Sequence, residues 1–517
     1  MDVFRVVYAI AVIVISRFIL SHPKAKMAFS KASRQNNCAE PPTPPSRDPV
    51  FGLDTVFQTF QQMKEHRRMK SVYAIFGRHG HTYQSFPLGR RSVSTIHPQN
   101  LDVIFTKNDV FGVGPLRERA SEPMIGRGIV SSDGAMWAHA RTMMKPTFNR
   151  SQIADRNMFS THVEKFMELL PRDNSEVDLQ PLFDRLILDA SSEFIFGESF
   201  NSLERDCPED SQKFLDSFSY AQQGVGKRVV LGKLNFLMRD QRFWESCAYI
   251  RGYTQKHIDR AIANLKKSKV QVGSRRYILA QEVVQVTQDR AVVCDQLLNV
   301  VFAGRDTPAV ALTSVFFCIA RNPQTWNKIK EEIKGLEDED LTLGRLKTLR
   351  YVQNVIKEDR HTVYNPSINV SLSCRSQEAM RLYPPVANTS RSCDKAIVLP
   401  VGGGPNGSSP VYLHPGDSVS INVYSLHRSE IYSPDPERFR PERWETIQTT
   451  WEYLSFGGGP RHCPAQQLAL FWVAYALVKI AMVYKEVQNH DPTEEFVENM
   501  KLNMESLNGA RVKLIVA

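Results

Sequence analysis

A single cysteine stands between a glycine-rich loop and an apolar helical pattern near the C-terminus. The stretch FGGGPRHCPAQQLAL covers Phe456–Leu470, and Cys463 carries its only thiol. A helix N-terminus stabilises a thiolate through the helix dipole and the unpaired N–H groups. Successive glycines let a flat group approach the backbone, and Arg461 supplies a cation suited to a carboxylate. These residues suggest a haem with a cysteine ligand; taken alone, they fit a buried thiol beside an ordinary glycine-rich turn at least as well.

An acid and a hydroxyl interrupt the longest apolar helical pattern. This pattern runs over Arg290–Pro323 and contains the letters AGRDT. A carboxyl group inside an apolar helix is costly to bury without a use, so Asp306 and Thr307 are candidate catalytic residues. A turn that faces solvent is the alternative. Pro308 has no N–H, which predicts a kinked or opened turn and a carbonyl of Gly304 that is free for water.

The glycine-rich loop resembles a known family signature. Five of its residues match FxxGxRxCx[GA], the haem-binding signature of the cytochrome P450 superfamily: Phe456, Gly459, Arg461, Cys463 and Ala465. The resemblance implies that Cys463 is the axial ligand of the iron of haem b and that Arg461 meets a haem propionate. In AGRDT, it implies that Asp306 and Thr307 relay protons to bound dioxygen.

Two further motifs follow in the order of that superfamily. WAHAR places Trp137 and Arg141 one helical turn apart, and the resemblance implies that both reach a haem propionate. Arg391 matches a third propionate contact.

EAMR before LYPP is similar to the ExxR motif of the superfamily. The resemblance implies a buried structural network of Glu378, Arg381 and Arg443 that supports the haem pocket and does no chemistry. Taken alone, Glu378 and Arg381 would form an ordinary surface ion pair.

One segment disrupts this motif. Asp359–Glu378 is polar, lacks periodicity and contains a proline; removing it joins Glu358 to Ala379 and gives the continuous helical pattern YVQNVIKEAMRLYPPV. We interpret residues 359–378 as a retained intron or gene-model error, with a genuine surface insertion as the alternative. If Glu378 belongs to that segment, Glu358 takes its place. Finding these codons in the mature transcript would refute the interpretation.

The elements that must position these residues are mostly helical. Apolar residues recur at helical spacing, which predicts a mainly α domain with a small β subdomain, the fold that the resemblance also implies. Predicted helices include His162–Leu170, Leu182–Gly197 and Arg290–Pro323. The predicted strands are short: Ser71–Gly77, Thr82–Gly89, Ser92–Pro98, Ala396–Gly404 and Ser418–His427.

Composition narrows the function class. The chain has 517 residues, 42% hydrophobic and 23% charged, which permits a large packed core. The net charge of +10 suits an anionic membrane surface or an acidic partner protein. We expect no nucleic-acid partner, because no basic run is interleaved with aromatic residues. The eight cysteines form no CxxC pair, which argues against a disulfide framework or a zinc ribbon.

The N-terminus predicts a membrane anchor. Val3–Leu20 is almost wholly apolar and a basic stretch follows it, so we expect a single-pass transmembrane helix with that basic side cytoplasmic. A cleaved signal peptide and a core helix are the alternatives. Glu40–Pro49 is rich in proline and reads as a stiff spacer. The predicted organisation is an anchor at 1–20, a basic and proline-rich linker at 21–50 and a haem domain at 51–517.

The resemblance predicts a haem-thiolate monooxygenase. We expect electrons from NADPH through NADPH-cytochrome P450 reductase, a site at the endoplasmic reticulum membrane with the catalytic domain cytosolic, and a small apolar substrate. The letters LPVGGGPNGSSPV and YSLHRSEIYSPDPERFRPERW are similar to the fungal hydroxylases of n-alkanes and fatty acids, and secondary-metabolite intermediates are further substrate candidates. Pocket residues are expected near Ser219–Phe236. The alternatives are a haem-thiolate isomerase or dehydratase, and a protein inactivated by residues 359–378.

Overall fold

The computed structural model describes residues 30–31, 34–49, 51–148, 156–268, 278–356 and 378–516. They divide into two compact units. The smaller unit comprises the described parts of Met1–Thr55 together with Ala74–Gly112 and Ser390–Ile421; the larger comprises Val56–Tyr73, Val113–Thr389 and Asn422–Ala517. The predicted anchor, Val3–Leu20, lies outside the described residues.

Helices make up most of the described chain. Their bounds in chain order are α1 Leu53–Lys64, α2 Arg68–His79, α3 Pro98–Thr106, α4 Pro115–Ile125, α5 Gly134–Met144, α6 Arg156–Leu169, α7 Leu179–Phe196, α8 Glu209–Leu231, α9 Gln241–Ser268, α10 Leu279–Val286, α11 Arg290–Gly304, α12 Thr307–Ala320, α13 Pro323–Glu332, α14 Leu343–Thr348, α15 Arg350–Ile356, α16 Glu378–Leu382, α17 Val423–Leu426 and α18 Gln466–Val483.

The core of the larger unit is built around two apolar helices. Every residue of α12 from Pro308 to Ala320 is buried, and α18 is buried along most of its length. Aromatic rings join these helices to their neighbours. Phe159 of α6 stacks on Trp472 of α18 with ring centroids 5.1 Å apart, and Phe183 of α7 lies 5.4 Å from Phe316 of α12. Such pairs add specific geometry to the burial of apolar area.

The membrane-length helices are part of this core. Two stretches are long and apolar enough to cross a bilayer, Arg290–Ala320 and Gln466–Val483. In each, 67% of the most apolar window is buried inside the protein. Their hydrophobicity is therefore accounted for by packing within the larger unit.

The strands form four small sheets. Their bounds are β1 Thr82–Ser85, β2 Ser92–Thr95, β3 Phe111–Gly112, β4 Glu176–Asp178, β5 Asn388–Cys393, β6 Ile397–Gly403, β7 Ser409–Leu413, β8 Ser418–Asn422, β9 Tyr484–Asn489, β10 Glu498–Met500, β11 Met504–Ser506 and β12 Arg511–Val516. The largest sheet has the order β1-β2-β8-β5-β3; β1 pairs antiparallel with β2 in the register Thr82↔Thr95, and β2 pairs parallel with β8. The others are β4-β12-β9, β6-β7 and β10-β11.

Most predicted elements are confirmed and one is wrong. The predicted helices correspond to α6, α7 and the α11–α12 pair, and four of the predicted strands contain β1, β2, β6 and β8. Ser71–Gly77, predicted as a strand, lies within α2. Its buried residues Met69, Val72 and Phe76 are spaced three and four apart, which is the helical period. The apolar letters were therefore assigned the wrong period.

The segment expected to be a spacer makes backbone contacts in the smaller unit. The N–H of Gly404 donates to the carbonyl of Glu40 at 3.0 Å, and the N–H of Gln84 donates to the carbonyl of Pro42 at 2.9 Å. The Gln84 side chain also donates to the Glu40 carboxylate at 2.9 Å. The proline-rich residues therefore pair with β1 and with the residue that follows β6.

Candidate functional site

The cysteine lies at the mouth of α18, as its spacing predicts. Cys463 precedes the first residue of that helix, Gln466, by one turn, and its N–H donates to the carbonyl of Phe456 at 2.9 Å. This hydrogen bond closes a tight loop. The thiol therefore lies where unpaired N–H groups and the helix dipole stabilise a negative charge.

The three glycines of the loop serve different purposes. Gly457 has φ +67° and Gly459 has φ +61°, conformations that strain other residues. A Cβ at Gly458 would lie 2.4 Å from the ring of Trp451, so this glycine permits close packing. At Gly457, by contrast, no described heavy atom lies within 4 Å of a Cβ position. The loop thus presents bare backbone on that side.

Arg461 is the centre of a cluster of charged residues. Its Nη2 donates to the Asp133 carboxylate at 2.6 Å and to the carbonyl of Ser132 at 3.0 Å. Its guanidinium lies over the ring of Trp137, 4.4 Å from the centroid. Its Nε is buried and has no hydrogen-bond partner among the described residues. Arg461 therefore retains a donor for a further acceptor.

Two more arginines share this region. Arg141 of α5 donates from Nη1 to the carbonyl of His462 at 2.9 Å. Burial lowers the pKa of Arg141, and the charge of Cys463 opposes that shift. Burial and the charge of Arg461 together lower the pKa of Arg117 on α4, opposed by Asp133. Mutually repelling cations of this kind favour an added anion.

This donor set fits a haem. A thiol at a helix N-terminus, a glycine loop open on one side, a tryptophan and arginines with an unsatisfied buried donor would suit a flat group that bears carboxylates. The helix α11 supplies a second open surface: Ala303 is exposed, and no described atom lies within 4 Å of a Cβ position at Gly304.

The acid and the hydroxyl lie where the long helix breaks. The helix α11 ends at Gly304 and α12 begins at Thr307, which confirms the predicted opened turn. The Thr307 hydroxyl donates to the carbonyl of Ala303 at 2.9 Å. The carbonyl of Gly304, expected to be free for water, accepts a long hydrogen bond of 3.4 Å from the Ser191 hydroxyl of α7.

The carboxylate of Asp306 points toward α8. Its Oδ2 accepts a hydrogen bond of 2.6 Å from Nε2 of Gln222, and its Oδ1 lies 3.4 Å from Nη1 of Arg305. Arg305 in turn lies over the ring of Phe218, 4.9 Å from the centroid. Asp306, the acid predicted to carry protons, thus contacts Gln222 of α8 and Arg305 at the helix break, and the three side chains form a partly buried polar cluster.

The Glu378 network is fully buried. Both Glu378 and Arg381 have side chains that are 0% exposed, and Arg381 binds the two carboxylate oxygens at 2.8 and 2.9 Å. Arg443 donates from Nε at 2.9 Å, the backbone N–H of Arg440 donates at 2.9 Å, and the indole of Trp444 donates at 3.0 Å. Every carboxylate oxygen is paired, and both guanidinium groups also donate to backbone carbonyls.

Two predicted residues have less distinctive surroundings. Phe456 is partly buried and packs against the core of the larger unit. Arg391 lies in the smaller unit, where its guanidinium stacks on the ring of Phe105 at 5.1 Å and donates to the carbonyl of Ser390 at 3.0 Å.

Sequence reasoning missed four participants: Arg117, Asp133, Gln222 and Trp444. Asp133 directly precedes α5, so a helix-capping pattern could have singled it out. Its carboxylate instead accepts the N–H groups of Val113 and Gly114, each at 2.8 Å. The contacts of Gln222 join residues far apart in the chain, and no local pattern reveals them.

Comparison with known proteins identifies the family. The model of the family described as Cytochrome P450 matches residues 42–359 and 376–504. The match is interrupted within residues 359–378, the segment that sequence analysis interpreted as an insertion. Asp306 and Thr307 fall inside the first matched range, and Arg461 and Cys463 fall inside the second.

The curated relatives cover nearly the whole chain. Cytochrome P450 monooxygenase himC of Aspergillus japonicus is 32% identical over 98% of this chain and 90% of its own length. Cytochrome P450 monooxygenase fsdH of Fusarium heterosporum is 32% identical over 90% of this chain and 81% of its own length. Cytochrome P450 52A12 of Debaryomyces hansenii is 32% identical over 93% of this chain and 92% of its own length.

Proposed function

We propose a specific reaction from one premise: the chain belongs to the cytochrome P450 family and is a monooxygenase. The reaction inserts one oxygen atom of O₂ into a C–H bond of an apolar substrate, and the second oxygen leaves as water. The observation that carries this proposal is Cys463 at the mouth of α18, beside Arg461 with its buried, unpaired Nε. A thiolate ligand favours cleavage of the O–O bond by haem iron, and an arginine with a spare donor can bind a haem carboxylate.

Cys463 and the arginine cluster would hold the haem. Haem iron with a thiolate ligand supplies dioxygen binding and cleavage of the O–O bond. In this proposal Cys463 provides the ligand, and the bare backbone at Gly457 allows the flat group to approach. Arg461, Arg141 and Trp137 bind the carboxylates, with Arg391 proposed as a further contact. Phe456 packs beside the loop.

Asp306 and Thr307 would move protons. The Thr307 hydroxyl, which donates to the carbonyl of Ala303, can rotate to donate elsewhere and accept in return. The Asp306 side chain, once it has taken up a proton from solvent, can replenish the proton that Thr307 gives up. Their position at the open turn supports these roles, because the helix there leaves backbone groups outside the regular ladder.

Glu378, Arg381 and Arg443 would have a structural role only. Their side chains are buried and mutually paired, which supports a role in holding the polypeptide on the cysteine side of the pocket. The proposed organisation places an anchor at residues 1–20, a linker at 21–50 and the haem domain at 51–517, with 359–378 as an insertion. The interrupted family match supports the last of these.

The electrons would come from NADPH through NADPH-cytochrome P450 reductase. We assign the protein to the endoplasmic reticulum membrane, held by its apolar N-terminal segment with the catalytic domain in the cytosol. The net charge of +10 suits contact with an acidic reductase surface and with anionic lipid. A site beside the bilayer would meet apolar substrates where they concentrate.

The substrate class proposed is a fatty acid, an alkane or an apolar intermediate of secondary metabolism. Relatives named as cytochromes P450 52A12 and 52A13 support the branch that the sequence resembles. Because other relatives are named only as fungal cytochrome P450 monooxygenases, we also propose secondary-metabolite intermediates as substrates. Residues 219–236 of α8 and the turn after it are the proposed substrate-facing segment.

Two measurements test the proposal. Reduced protein with carbon monoxide should give a thiolate-type Soret band, and Cys463→Ala should abolish it. Purified protein with NADPH, reductase and a panel of fatty acids and alkanes should then form hydroxylated product that carries oxygen from O₂. A thiolate-type band with product formation independent of NADPH and O₂ would instead support an isomerase or dehydratase. Absence of the band in the full chain would support inactivation by residues 359–378.

A further inference from the structure

The Asp306 carboxylate begins a helix without capping it. Asp306 is the N-cap residue of α12, yet its side chain accepts no capping hydrogen bond. An N-cap carboxylate ordinarily accepts the N–H of the second or third helical residue. Here the second position is Pro308, which has no N–H. The sequence therefore removes one local partner that would hold this carboxylate against its own helix.

A side chain of another helix takes the place of that partner. Gln222 of α8 is 3% exposed, and its Nε2 lies 2.6 Å from Oδ2 of Asp306. Arg305 approaches Oδ1 from the other side at 3.4 Å. Its own Nε and Nη1 are buried and make no hydrogen bond to the described residues. The amide of Gln222 thus provides the short, directed hydrogen bond to this carboxylate.

The charged groups around this carboxylate are few. Arg305 is the nearest, and Asp184 of α7 interacts with both Arg305 and Asp306. Burial raises the pKa of Asp184 to about 7, and the positive charge of Arg305 opposes the shift. Lys501 and Glu505, which pair with each other at 2.5 Å, also act on Asp184. A neutral donor such as Gln222 orients Asp306 without adding another charge to this group.

We propose that Gln222 is a positioning residue for proton delivery: its amide fixes the orientation of the Asp306 carboxylate and so couples the placement of α8 to the supply of protons through Thr307. This inference rests on the proposed function of Asp306. Because Gln222 is on the helix proposed to face substrate, a shift of α8 would move the donor and reorient the carboxylate. Loss of the donor should misdirect electrons away from product.

The test compares Gln222→Leu with wild type and with a control variant, each as the full chain reconstituted with reductase. Gln222→Leu should lower the product formed per NADPH at least threefold, and the missing electrons should appear as hydrogen peroxide. The half-saturating concentration of the substrate-induced change in the Soret spectrum is measured for each variant, so that coupling is compared at saturating substrate. Gln353→Leu is the matched control, since Gln353 is also buried and its amide donates to the carbonyl of Leu346 at 2.8 Å. Equal coupling in these two variants would overturn the proposal.

Gln222→Glu gives a readout that a purely structural role would not move. Its introduced carboxyl can donate a hydrogen bond only when it is protonated. Coupling should therefore be poor near pH 8 and recover at least twofold toward wild type as the pH falls to about 6, while wild type changes less. This variant also decides the matter if Gln222→Leu fails to accumulate. A pH profile parallel to that of wild type would overturn the proposal.

Asp306→Asn separates the inference from its premise. If Asp306→Asn remains coupled, the proposed role of Asp306 falls and the inference falls with it. If Asp306→Asn uncouples and Gln222→Leu does not, only the inference falls. Thermal unfolding supplies a readout independent of turnover: the double variant should unfold at the temperature of the less stable single variant. Additive shifts of the two single variants would contradict a direct contact.

Discussion

Two clusters of arginines and carboxylates in the larger unit look alike in composition and differ in completeness. In the Glu378 cluster, the ion-paired side chains of Glu378, Arg381 and Arg443 are all 0% exposed. In the Arg461 cluster, the Arg461 side chain is 8% exposed and that of Asp133 is 31% exposed. The first cluster contains a carboxylate with five donors; the second retains a buried guanidinium donor without a described partner.

This difference indicates two roles. The Glu378 cluster, which we call the closed cluster, supports the fold, and the Arg461 cluster, which we call the open cluster, can bind a ligand. A buried ion pair that is fully hydrogen-bonded has no free donor or acceptor for a ligand. Removing one of its partners leaves uncompensated charge in the interior. A cluster with surplus cations and an unsatisfied donor gains from an added anion. We therefore expect substitutions in the fully hydrogen-bonded cluster to unfold the protein, and substitutions in the cluster with a spare donor to weaken ligand binding.

The largest expected effect comes from opening the closed cluster. Glu378→Ala should cost about 3–5 kcal/mol, because Arg381 and Arg443 would remain charged and buried without a carboxylate. We expect little soluble protein and no thiolate-type Soret band with carbon monoxide. The measurement is the amount of haem-loaded protein per total protein expressed.

Glu358→Ala is the matched control for that variant. Glu358 lies outside the described residues, and it is the residue that would replace Glu378 if residues 359–378 were absent. In the full chain Glu358→Ala should accumulate haem as wild type does. The reverse result, with Glu358 essential and Glu378 dispensable, would contradict the structural role proposed for the Glu378 cluster.

Removing residues 359–378 should transfer this dependence from one glutamate to the other. The shortened chain joins Glu358 to Ala379, which places a carboxylate three residues before Arg381 as Glu378 is now. We expect the shortened chain to incorporate haem at least as well as the full chain. Glu358→Ala in that background should then cost the same roughly 3–5 kcal/mol and abolish the Soret band. A shortened chain that fails to fold would show that the segment is integral.

Local chemistry was predictable from the sequence, and long-range partners were not. The cysteine loop, the helix break before Pro308 and the glutamate–arginine pair are each encoded within a few residues. Backbone conformations of glycine and proline and the helical period determine them directly. The structure places Cys463, Arg461, Trp137 and Arg141 in the larger unit and Arg391 in the smaller one.

The missed residues depend on tertiary contacts. Asp133 meets Arg461, and Gln222 meets Asp306, across long stretches of chain. Neither contact has a local pattern, because each depends on how helices pack. The strand predicted at Ser71–Gly77 failed for a different reason: seven mostly apolar letters fit both periods, and the residues before them complete the helical one.

The closed cluster should also be more sensitive to acid than the open one. Burial and the positive charges of Arg381 and Arg428 lower the pKa of His427 to about 3, and the hydrogen bond of its ring to the carbonyl of Arg381 opposes that shift. Between a pKa of about 6.5 in the unfolded chain and about 3 in the folded one, the unfolded chain binds more protons. This contribution is complete above about pH 6.5 and is lost by roughly 1.4 kcal/mol per pH unit as the pH falls, or about 3 kcal/mol near pH 4.

Unfolding in denaturant at a series of pH values measures that slope. His427→Gln should lower stability at neutral pH and flatten the decline below about pH 6, because the amide does not titrate in this range. His139→Gln is the control, since His139 lies exposed on α5 near the open cluster. Identical slopes in the two variants would show that His427 does not link the closed cluster to pH.

The smallest expected effect concerns haem binding by the open cluster. Arg461→Leu removes one charge-assisted donor from the open cluster, so we expect haem binding to weaken by about 2 kcal/mol, roughly thirtyfold, with the polypeptide still folded. The rate of haem transfer to a scavenging protein measures the loss, and far-ultraviolet circular dichroism monitors the fold. Arg260→Leu is the control, because Arg260 forms an exposed ion pair with Glu198 at 2.6 Å. Equal haem retention in both variants would mean that the open cluster is an ordinary ion pair. Its unpaired donor would then say nothing about a ligand.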